Sequence, residues 1–292
     1  MLIVELLLNG ILLGALYACV GMSFSLSWGV MNIVNLAHGS MIMLGAYVAF
    51  VLGRAVGLDP FLAIPVSAGV LFVVGYALQR FVINRVMGGS IFLTLILTFG
   101  FDMLLSNVLI ALFTADTRSL TPPYAGAVVT WGGLRISYVR ILVLVIALGL
   151  AAGLHLFLAR TRAGRAILAT SFDREAAQLT GVEIRHVFPL TFGIGAALAG
   201  AVGPLLAMTT SFSPMLGGAL TMRGFVVVVL GGLGSIPGAV VGGFALGIVE
   251  HLSTLAFGSG YQETIGFVVL VAVLVLRPAG FLGKPFFAEV KT

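Results

Sequence analysis

Residues 160–187 read RTRAGRAILATSFDREAAQLTGVEIRHV, and the rest of the chain is arranged around this segment. It is the only long polar segment in an otherwise apolar sequence, and it holds five of the fifteen Lys and Arg residues together with three acids. Apolar runs long enough for a membrane precede and follow it. We interpret the segment as a cytoplasmic loop that receives a mechanical input from a partner, while the apolar remainder carries a substrate path.

The composition of the 292-residue chain is that of an integral membrane protein. Hydrophobic residues make up 60% of it and charged residues 9%, with a mean hydropathy of +1.18, whereas a soluble domain carries about 25% charged residues. The net charge of +5 does not indicate nucleic-acid binding, because the basic residues lie mostly between apolar runs, as topology signals do. The one cysteine, Cys19, excludes an internal disulfide.

The apolar runs predict an all-α integral membrane protein, a polytopic helix bundle that residues 1–292 form as a single transmembrane domain. A spanning helix needs about 20 mostly apolar residues. About eight hydrophobic segments are present, and we expect some of them to be broken or re-entrant. The segments are Leu6–Ser27, Leu36–Leu52, Phe61–Leu78, Ile91–Phe113, Ile141–Ala159, Phe188–Met208, Phe225–Val249 and Ile265–Leu276.

The distribution of Lys and Arg predicts the orientation of the chain. Arg80 and Arg85 follow the third segment, the loop at 160–187 is basic, and Arg277, Lys284 and Lys291 lie in the tail. The positive-inside rule places all three regions in the cytoplasm. The N-terminus and the loop at 114–138 then lie outside, and the seventh segment, which is rich in glycine, has to enter and leave the membrane on the same side.

The external loop at 114–138 has the composition of a docking surface. It contains the run Thr121-Pro122-Pro123-Tyr124 and the run Trp131-Gly132-Gly133. The tryptophan is typical of an aromatic residue at a membrane interface.

Residues 28–40 read WGVMNIVNLAHGS and interrupt two apolar runs with polar side chains. Polar groups at membrane depth are costly unless they are paired or face water. One interpretation is a helix break that lines the translocation path, with Asn32, Asn35, His38 and Ser40 as candidates. The other is a short hairpin at the cytoplasmic surface whose polar residues cap helix ends. The residues alone do not favour either interpretation.

Residues 230–243 read LGGLGSIPGAVVGG and form a second interruption. A regular helix does not continue here, since glycine costs about 1 kcal/mol and proline about 3 kcal/mol in a helix interior. Such a break is tolerated only where it is buried or lines water, so Gly231, Gly232, Gly234 and Ser235 are further path candidates. No Gly-x-x-x-x-Gly-Lys-Ser/Thr pattern for a phosphate-binding loop occurs in the chain.

Within the loop at 160–187, a short helix is predicted from about Phe172 to Thr180. Ser171 is its expected N-cap, Asp173 and Glu175 are acids of its first turn, and Gly181 suits the position after its end. The apolar side of this helix is expected to show Ala176, Ala177 and Leu179 or Thr180, and its small alanines could insert into a groove of a partner. Gly164 is expected to adopt a backbone conformation closed to other residues. The alternative is an ordinary cytoplasmic linker.

Isolated ionisable residues are functional candidates by default when they lie in a membrane. Each of them could equally lie at a helix end or pair with a neighbour. The sequence has no metal-ligand spacing and no paired carboxylates for hydrolysis, so no catalytic residue, metal or cofactor is assigned, and a membrane enzyme is a weak alternative. The isolated residues are Asp102, His155, Glu250 and His251.

Five runs of the sequence together resemble the permease subunits of ABC importers for branched-chain amino acids. The element Gly-Gly-Leu-Gly alone also resembles sugar permeases of related fold, and Phe281-Leu282-Gly283 stands where the family pattern leads us to expect Leu-Phe-Gly. The resemblance covers nearly the whole chain. The five runs are MNIVNLAHG at 31–39, MLGAY at 43–47, TRAGRA at 161–166 with Asp173, Ala176 and Gly181, GGLGSIPGA at 231–239, and LRPAGF at 276–281.

The resemblance implies a permease subunit of an ATP-driven importer in a bacterial or archaeal cytoplasmic membrane. It implies two separate ATP-binding-cassette subunits, a second permease subunit and an extracytoplasmic solute-binding protein as partners. It also implies that the loop at 160–187 is the coupling element, with Gly164, Arg165, Ala166, Ser171, Asp173, Ala176 and Gly181 as its key positions. Relatives carry leucine, isoleucine and valine or other amino acids, amides or urea. The alternative is a stand-alone secondary transporter or channel, with Asp102 or Glu250 binding a coupling ion.

Overall fold

A computed structural model describes residues 2–86, 91–131 and 134–283 of the chain. Eight helices within those ranges are long and apolar enough to cross a membrane, and Thr264–Leu276 is a shorter apolar helix. The predicted all-α polytopic fold is therefore confirmed. Lys284, Lys291, Gly132 and Gly133 lie outside the described residues.

The helices are α1 (Leu2–Met31), α2 (His38–Val56), α3 (Pro60–Leu78), α4 (Asn84–Val86), α5 (Ile91–Phe113), α6 (Tyr138–Arg160), α7 (Arg162–Phe172), α8 (Arg174–Leu179), α9 (Ile184–Thr209), α10 (Gly217–Gly231), α11 (Ile236–Phe257) and α12 (Gln262–Leu276). A π-helical segment, Gln79–Ile83, joins α3 to α4. Strands β1 (Val128–Trp131) and β2 (Leu134–Ser137) pair in antiparallel fashion.

Hydrogen bonds between connecting segments define two ends of the bundle. At one end, Tyr124 donates to Asp59 (2.6 Å) and Arg140 of α6 donates to Asn9 of α1 (2.6 Å). Because strands β1 and β2 directly precede α6, we call this the hairpin end. The N-terminal part of α1 and the loop at 114–138 lie here together, as the sequence predicted.

The opposite end carries the loop at 160–187 and the segment after α12. Arg174 donates to the backbone oxygen of Val30 (3.2 Å), and the backbone N–H of Phe281 donates to Leu230 O (2.8 Å). Arg80, Arg85 and Arg185 line one cleft at this end. We call it the basic end, and the positive-inside rule assigns it to the cytoplasm.

Glycines allow the long helices to lie against one another at backbone distance. A Cβ atom on Gly14 of α1 would lie 2.7 Å from the Cα of Phe244 in α11, and one on Gly200 of α9 would lie 2.7 Å from the backbone oxygen of Ser67 in α3. Contacts this short exclude any side chain. Lipid tails are as apolar as the side chains of the helices, so hydrophobic burial does not hold membrane helices together. Small residues stabilise the bundle instead, because they allow close backbone packing.

The two halves of the bundle repeat one pattern with opposite direction. In each half a long helix (α1 or α9) is followed by a break in the α-helix (32–37 or 210–216), a shorter helix (α2 or α10), a turn and another helix (α3 or α11). The second break ends in a 3₁₀ helix, Pro214–Leu216. Helix α1 packs along α11, and α9 packs along α3 in the reciprocal way. Since α1 runs from the hairpin end to the basic end and α9 runs back, this is an inverted repeat of the kind found in transporters.

The seventh predicted segment consists of two helices, α10 and α11, joined at residues 232–235. Gly232 and Gly234 have φ of 107° and 78°, values that glycine adopts at no steric cost. The expected split pair is therefore confirmed, since α10 runs toward the basic end and α11 away from it. The turn at residues 232–235 is the counterpart of residues 57–59 in the first half. The counterpart of the first interruption is residues 210–216, a segment that the sequence did not predict to be an interruption.

Candidate translocation and coupling sites

The first interruption is a return of the chain into the bundle. Helix α1 ends at Met31, and Asn32 follows with φ of 53°, a left-handed conformation that asparagine tolerates better than most residues. Ser23 Oγ and His38 Nε2 are 2.9 Å apart. Because Ser23 lies eight residues before Met31, about 12 Å along a helix, α2 begins well inside the bundle.

The polar side chains of Asn35, His38 and Ser40 are buried and bonded. Asn35 Oδ1 accepts a hydrogen bond from the backbone N–H of Ala37 (3.1 Å), and Ser40 Oγ donates to Ala37 O (2.9 Å). His38 is 2% exposed and packs edge-on against Phe24. These contacts hold the start of α2 in place.

The starts of α2 and α10 meet inside the bundle. The backbone at Gly39 lies against the carbonyl of Gly217, so closely that neither a Cβ nor a larger group fits at residue 39. Thr221 Oγ1 accepts from the N–H of Gly39 (2.8 Å) and donates to Leu36 O (3.1 Å). Helix N-termini carry partial positive charge, so two of them adjoin in the interior. Asp102 of α5 lies within hydrogen-bonding reach of Ser40 beside them.

The two interruptions named from the sequence touch each other at the basic end. A Cβ atom on Gly29 would lie 2.9 Å from the Cα of Gly234. An open cleft of about 470 Å³ lies beside this contact. Asn32, Gly234 and Ser235 line it, next to Ser171 and Phe172 of the loop at 160–187. The cleft therefore lies at the basic end of the bundle and adjoins the loop at 160–187.

Gly231 and Gly232 are buried under the segment that follows α12. The N–H of Leu282 donates to Gly231 O (2.9 Å), and a Cβ on Gly280 would lie 2.7 Å from the Cα of Gly232. The segment after α12 thus packs directly on the end of α10. Ser235 caps α11 by accepting from the N–H of Gly238 (3.1 Å).

Gly164 is required for close packing, and the expectation of an unusual backbone conformation at this residue is wrong. It lies inside α7, whose cap is Thr161 Oγ1, which accepts from the N–H of Gly164 (2.9 Å). A Cβ on Gly164 would lie 2.5 Å from the Cα of Leu158 in α6. Glycine therefore sets the tight corner between α6 and α7.

The short helix in the loop is confirmed, but its N-cap is Asp173 and the expectation of Ser171 is wrong. Asp173 Oδ1 accepts from the N–H of Glu175 (2.9 Å) and of Ala176 (3.0 Å). Ser171 belongs to the last turn of α7, where its hydroxyl donates to Leu168 O (2.7 Å). Gly181 follows α8 with φ of 87°, as its predicted position requires.

Helix α8 presents an apolar surface outward. Ala177 is buried, whereas Ala176 is exposed, Leu179 is 90% exposed and Phe172, at the end of α7, is 74% exposed. Two large apolar side chains with so much exposed surface on a polar segment are typical of a protein contact. We call Phe172, Ala176 and Leu179 the α7–α8 knob.

Arg174 connects the knob to the membrane helices. Its guanidinium donates to the backbone oxygen of Val30 and lies 5.4 Å from the centre of the Phe188 ring in α9. Burial lowers the pKa of Arg174. A displacement of α8 would therefore act directly on the end of α1, next to the first interruption.

The loop at 114–138 is fixed to the bundle by several hydrogen bonds. Tyr124 donates to Asp59, the residue that caps α3, and burial together with this bond raises the pKa of Tyr124. Arg118 and Phe212 exchange two backbone hydrogen bonds of 2.8 Å each. The loop therefore holds a defined surface at the hairpin end.

One charged group inside the bundle was missed in the sequence. Arg223 lies in α10, but the predicted segment began at Phe225 and left it outside. It lines a cavity together with Glu250 of α11. A single arginine within the run 216–230 was the available signal. Among the described residues, no group of three His, Cys, Asp or Glu side chains could hold a metal ion.

Residues 6–276 match the family described as the permease component of branched-chain amino acid transport systems. The chain is 34% identical to the high-affinity branched-chain amino acid transport system permease protein BraD of Pseudomonas aeruginosa, with 96% of this chain and 95% of BraD covered.

Two LivH proteins are similar over comparable lengths. The high-affinity branched-chain amino acid transport system permease protein LivH of Escherichia coli is 31% identical over 95% of this chain and 94% of its own. The probable branched-chain amino acid transport permease protein LivH of Methanocaldococcus jannaschii is 29% identical over 96% and 92%. No solved structure matches the chain.

Proposed function

Because the chain belongs to the family of permease components of branched-chain amino acid transport systems, we propose that it is the permease subunit of an ATP-driven importer for branched-chain or related amino acids. The observation that carries this proposal is the family match over residues 6–276, which includes all eight long apolar helices apart from the first few residues of α1. The chain forms the membrane path and does not hydrolyse ATP.

Separate chains supply the energy and the substrate in this proposal. No phosphate-binding glycine pattern occurs in the sequence, so two ATP-binding-cassette subunits hydrolyse ATP. A second permease subunit, most simply a homologue, completes the pair, and a solute-binding protein docks at the hairpin end. The complex lies in the cytoplasmic membrane of a bacterium or archaeon.

The α7–α8 knob is the contact for the ATPase subunit. The exposed Phe172 and Leu179 fit a groove in a partner, and Arg174 relays displacement to Val30. The knob adjoins the cleft that Asn32, Gly234 and Ser235 line. Movement of the loop would therefore widen or close this cleft, which is the cytoplasmic exit of the path.

Copurification and uptake test the proposal. The chain is expressed with the ATPase, permease and binding-protein genes of its own organism, purified through a tag on this chain, and reconstituted into proteoliposomes. We expect both ATPase subunits to copurify and radiolabelled leucine, isoleucine or valine to enter only with ATP inside and binding protein outside. Isolation of an active carrier without ATPase, driven by a proton or sodium gradient, would overturn the proposal in favour of a secondary transporter.

A further inference from the structure

A cavity of about 170 Å³ lies between α10, α11 and α12. Two ionisable side chains form part of its wall, Arg223 from α10 and Glu250 from α11. The rest of the lining is mostly apolar, with Met222, Val226, Leu246 and Phe267 as its larger members.

The charged groups lie inside the membrane-spanning part of the bundle. Arg223 is six residues after the start of α10 at Gly217, and Glu250 is seven residues before the end of α11 at Phe257. At 1.5 Å per residue each lies about 10 Å from a helix end. Ionisable residues at such depth are rare in membrane proteins and commonly mark the path of a substrate or ion.

Tyr17 of α1 holds both charges in position. Its hydroxyl donates to Glu250 Oε2 (2.8 Å), and the guanidinium carbon of Arg223 lies 5.7 Å from the centre of its ring. Glu250 is 2% exposed. The other carboxylate oxygen, Oε1, faces Gly266 of α12, where an added Cβ would lie 3.3 Å away. Glycine at this position therefore leaves space in front of the carboxylate.

The cavity opens on the face of α10 that the rest of the chain leaves uncovered. An added Cβ on Gly218 would meet nothing within 4 Å, Ala219 is exposed and Met222 is 49% exposed. A second permease subunit packed on this face would separate the cavity from lipid and leave it facing the space between the subunits.

We propose that this cavity is a subsite for a zwitterionic aliphatic amino acid, with its ammonium group on Glu250 and its carboxylate on Arg223. Arginine binds carboxylates through two parallel N–H bonds, and the aliphatic side chain lies on Met222, Val226 and Leu246. A ligand that carries only one of the two charges makes a charged contact with only one of these two side chains. This inference rests on the proposed function, because it names where the carried solute is held.

A second charged cavity nearby lacks this complementarity. It has a volume of about 40 Å³, and its ionisable lining residues are Arg140 and His251, with no carboxylate. Both of its ionisable groups are basic, so it offers nothing to an ammonium group. The pairing of opposite charges is what distinguishes the cavity at Arg223 and Glu250.

Variants that remove the charges distinguish a ligand site from two groups that only neutralise each other. Arg223→Gln, Glu250→Gln and the double variant are assayed in the whole importer by leucine uptake into proteoliposomes. A subsite predicts at least a tenfold loss in each, with the double variant no better than the single ones. Recovery of the double variant to within twofold of the unaltered complex would mean that the two groups only neutralise each other, and it would overturn the proposal.

Thiol labelling provides a test that leaves both charges in place. Ala219→Cys at the cavity mouth is labelled in the assembled importer, with Val73→Cys, 65% exposed on α3, as the control; native Cys19 is only 1% exposed. We expect L-leucine to slow labelling at least threefold at residue 219 and not at residue 73. Leucinamide, which lacks the carboxylate, and 4-methylpentanoate, which lacks the ammonium group, should not protect.

The controls keep the two proposals apart. Equal protection by all three compounds, or by none of them, contradicts the subsite. If the labelling contradicts the subsite but the unaltered complex imports leucine normally into proteoliposomes, the proposed function stands and only the subsite fails. An unaltered complex that imports no branched-chain amino acid would instead refute the proposed function itself.

Discussion

At the scale of single residues, Gly164 shows how one missing side chain sets the angle between helices α6 and α7. Helix α6 ends at Arg160 and α7 begins at Arg162, so the chain turns over a single residue. The turn brings Gly164 back against Leu158. A Cβ there would force α7, and with it the α7–α8 knob, away from the bundle.

We predict that Gly164→Val destabilises the α6–α7 corner by about 1–3 kcal/mol, the usual cost of overpacking. Leucine uptake and ATPase copurification should both fall at least fivefold. Gly153→Val is the matched control, because an added Cβ at Gly153 of α6 meets nothing within 4 Å. Equal activity of the two variants would show that the corner does not position the knob.

The residues that sequence reasoning placed wrongly have physical explanations. Ser171 and Asp173 are both good caps, and the sequence does not reveal that α7 continues through Ser171 and leaves the capping position to Asp173. Gly164 was expected to adopt a backbone conformation closed to other residues, because its close contact with Leu158 is visible only in three dimensions. Arg223 was excluded because a charged residue ends a hydropathy run, and the sequence does not show that it lines one cavity with Glu250 of another helix.

At the scale of elements, the α7–α8 knob presents exposed apolar side chains on a helix that is held in shape by its cap. Asp173 caps α8, Ala177 faces inward, and Phe172 and Leu179 point out. Short capped helices of this kind keep their shape only through caps and packing, since six residues are too few to be stable alone.

We predict that Ala176→Trp reduces uptake at least tenfold while the chain inserts in the membrane at normal abundance. Ala176 is exposed, so the larger ring displaces no residue of this chain and interferes only with a partner. Arg165→Ala should have a milder effect, because an exposed ion pair contributes about 0–1 kcal/mol. Normal uptake by Ala176→Trp, measured alongside membrane abundance, would place the ATPase contact elsewhere.

The two interruptions differ in accessibility along their length. Asn32 is exposed and Ser235 lines the cleft at the basic end, whereas Asn35 is 4% exposed and bonded to the backbone of Ala37. Sequence alone gave all three the same status, since burial of a polar side chain depends on the return of residues 32–37 into the bundle.

We predict that a small thiol reagent labels Asn32→Cys and Ser235→Cys at least tenfold faster than Asn35→Cys. Labelling of the first two should slow when amino acid and loaded binding protein are present, because both residues border the proposed exit. Mass spectrometry of the intact chain measures the rates. Rates that do not depend on substrate would identify the cleft as a packing gap outside the path.

At the scale of the whole molecule, the fold follows from two inverted halves that interlock. Hydropathy was enough to predict a polytopic bundle and most of its helices. It did not reveal the repeat, because residues 210–216 contain no glycine run to mark them as the counterpart of residues 32–37. Each half instead leaves its longest helix to be covered by the other half, α1 by α11 and α9 by α3.

Interlocking makes the whole bundle sensitive to single glycines at the crossing points. Gly200 of α9 lies against Ser67 and Leu71 of α3, and Gly243 of α11 lies with its added Cβ only 2.5 Å from the Cα of Ala18 in α1. We predict that Gly200→Leu and Gly243→Leu each reduce the folded, membrane-inserted protein severalfold. Backbone cannot yield to a side chain without separating the two helices.

Gly69→Leu is the matched control for this prediction. Gly69 lies on α3, the same helix that Gly200 contacts, but an added Cβ there meets nothing within 4 Å and the residue faces outward. Folded protein is measured by size-exclusion chromatography after detergent extraction. We expect Gly69→Leu to match the unaltered chain, since a leucine facing lipid is favourable. If all three variants extract equally well, the two halves do not depend on these crossings, and the reciprocal packing of α1 on α11 and α9 on α3 contributes less to stability than its geometry indicates.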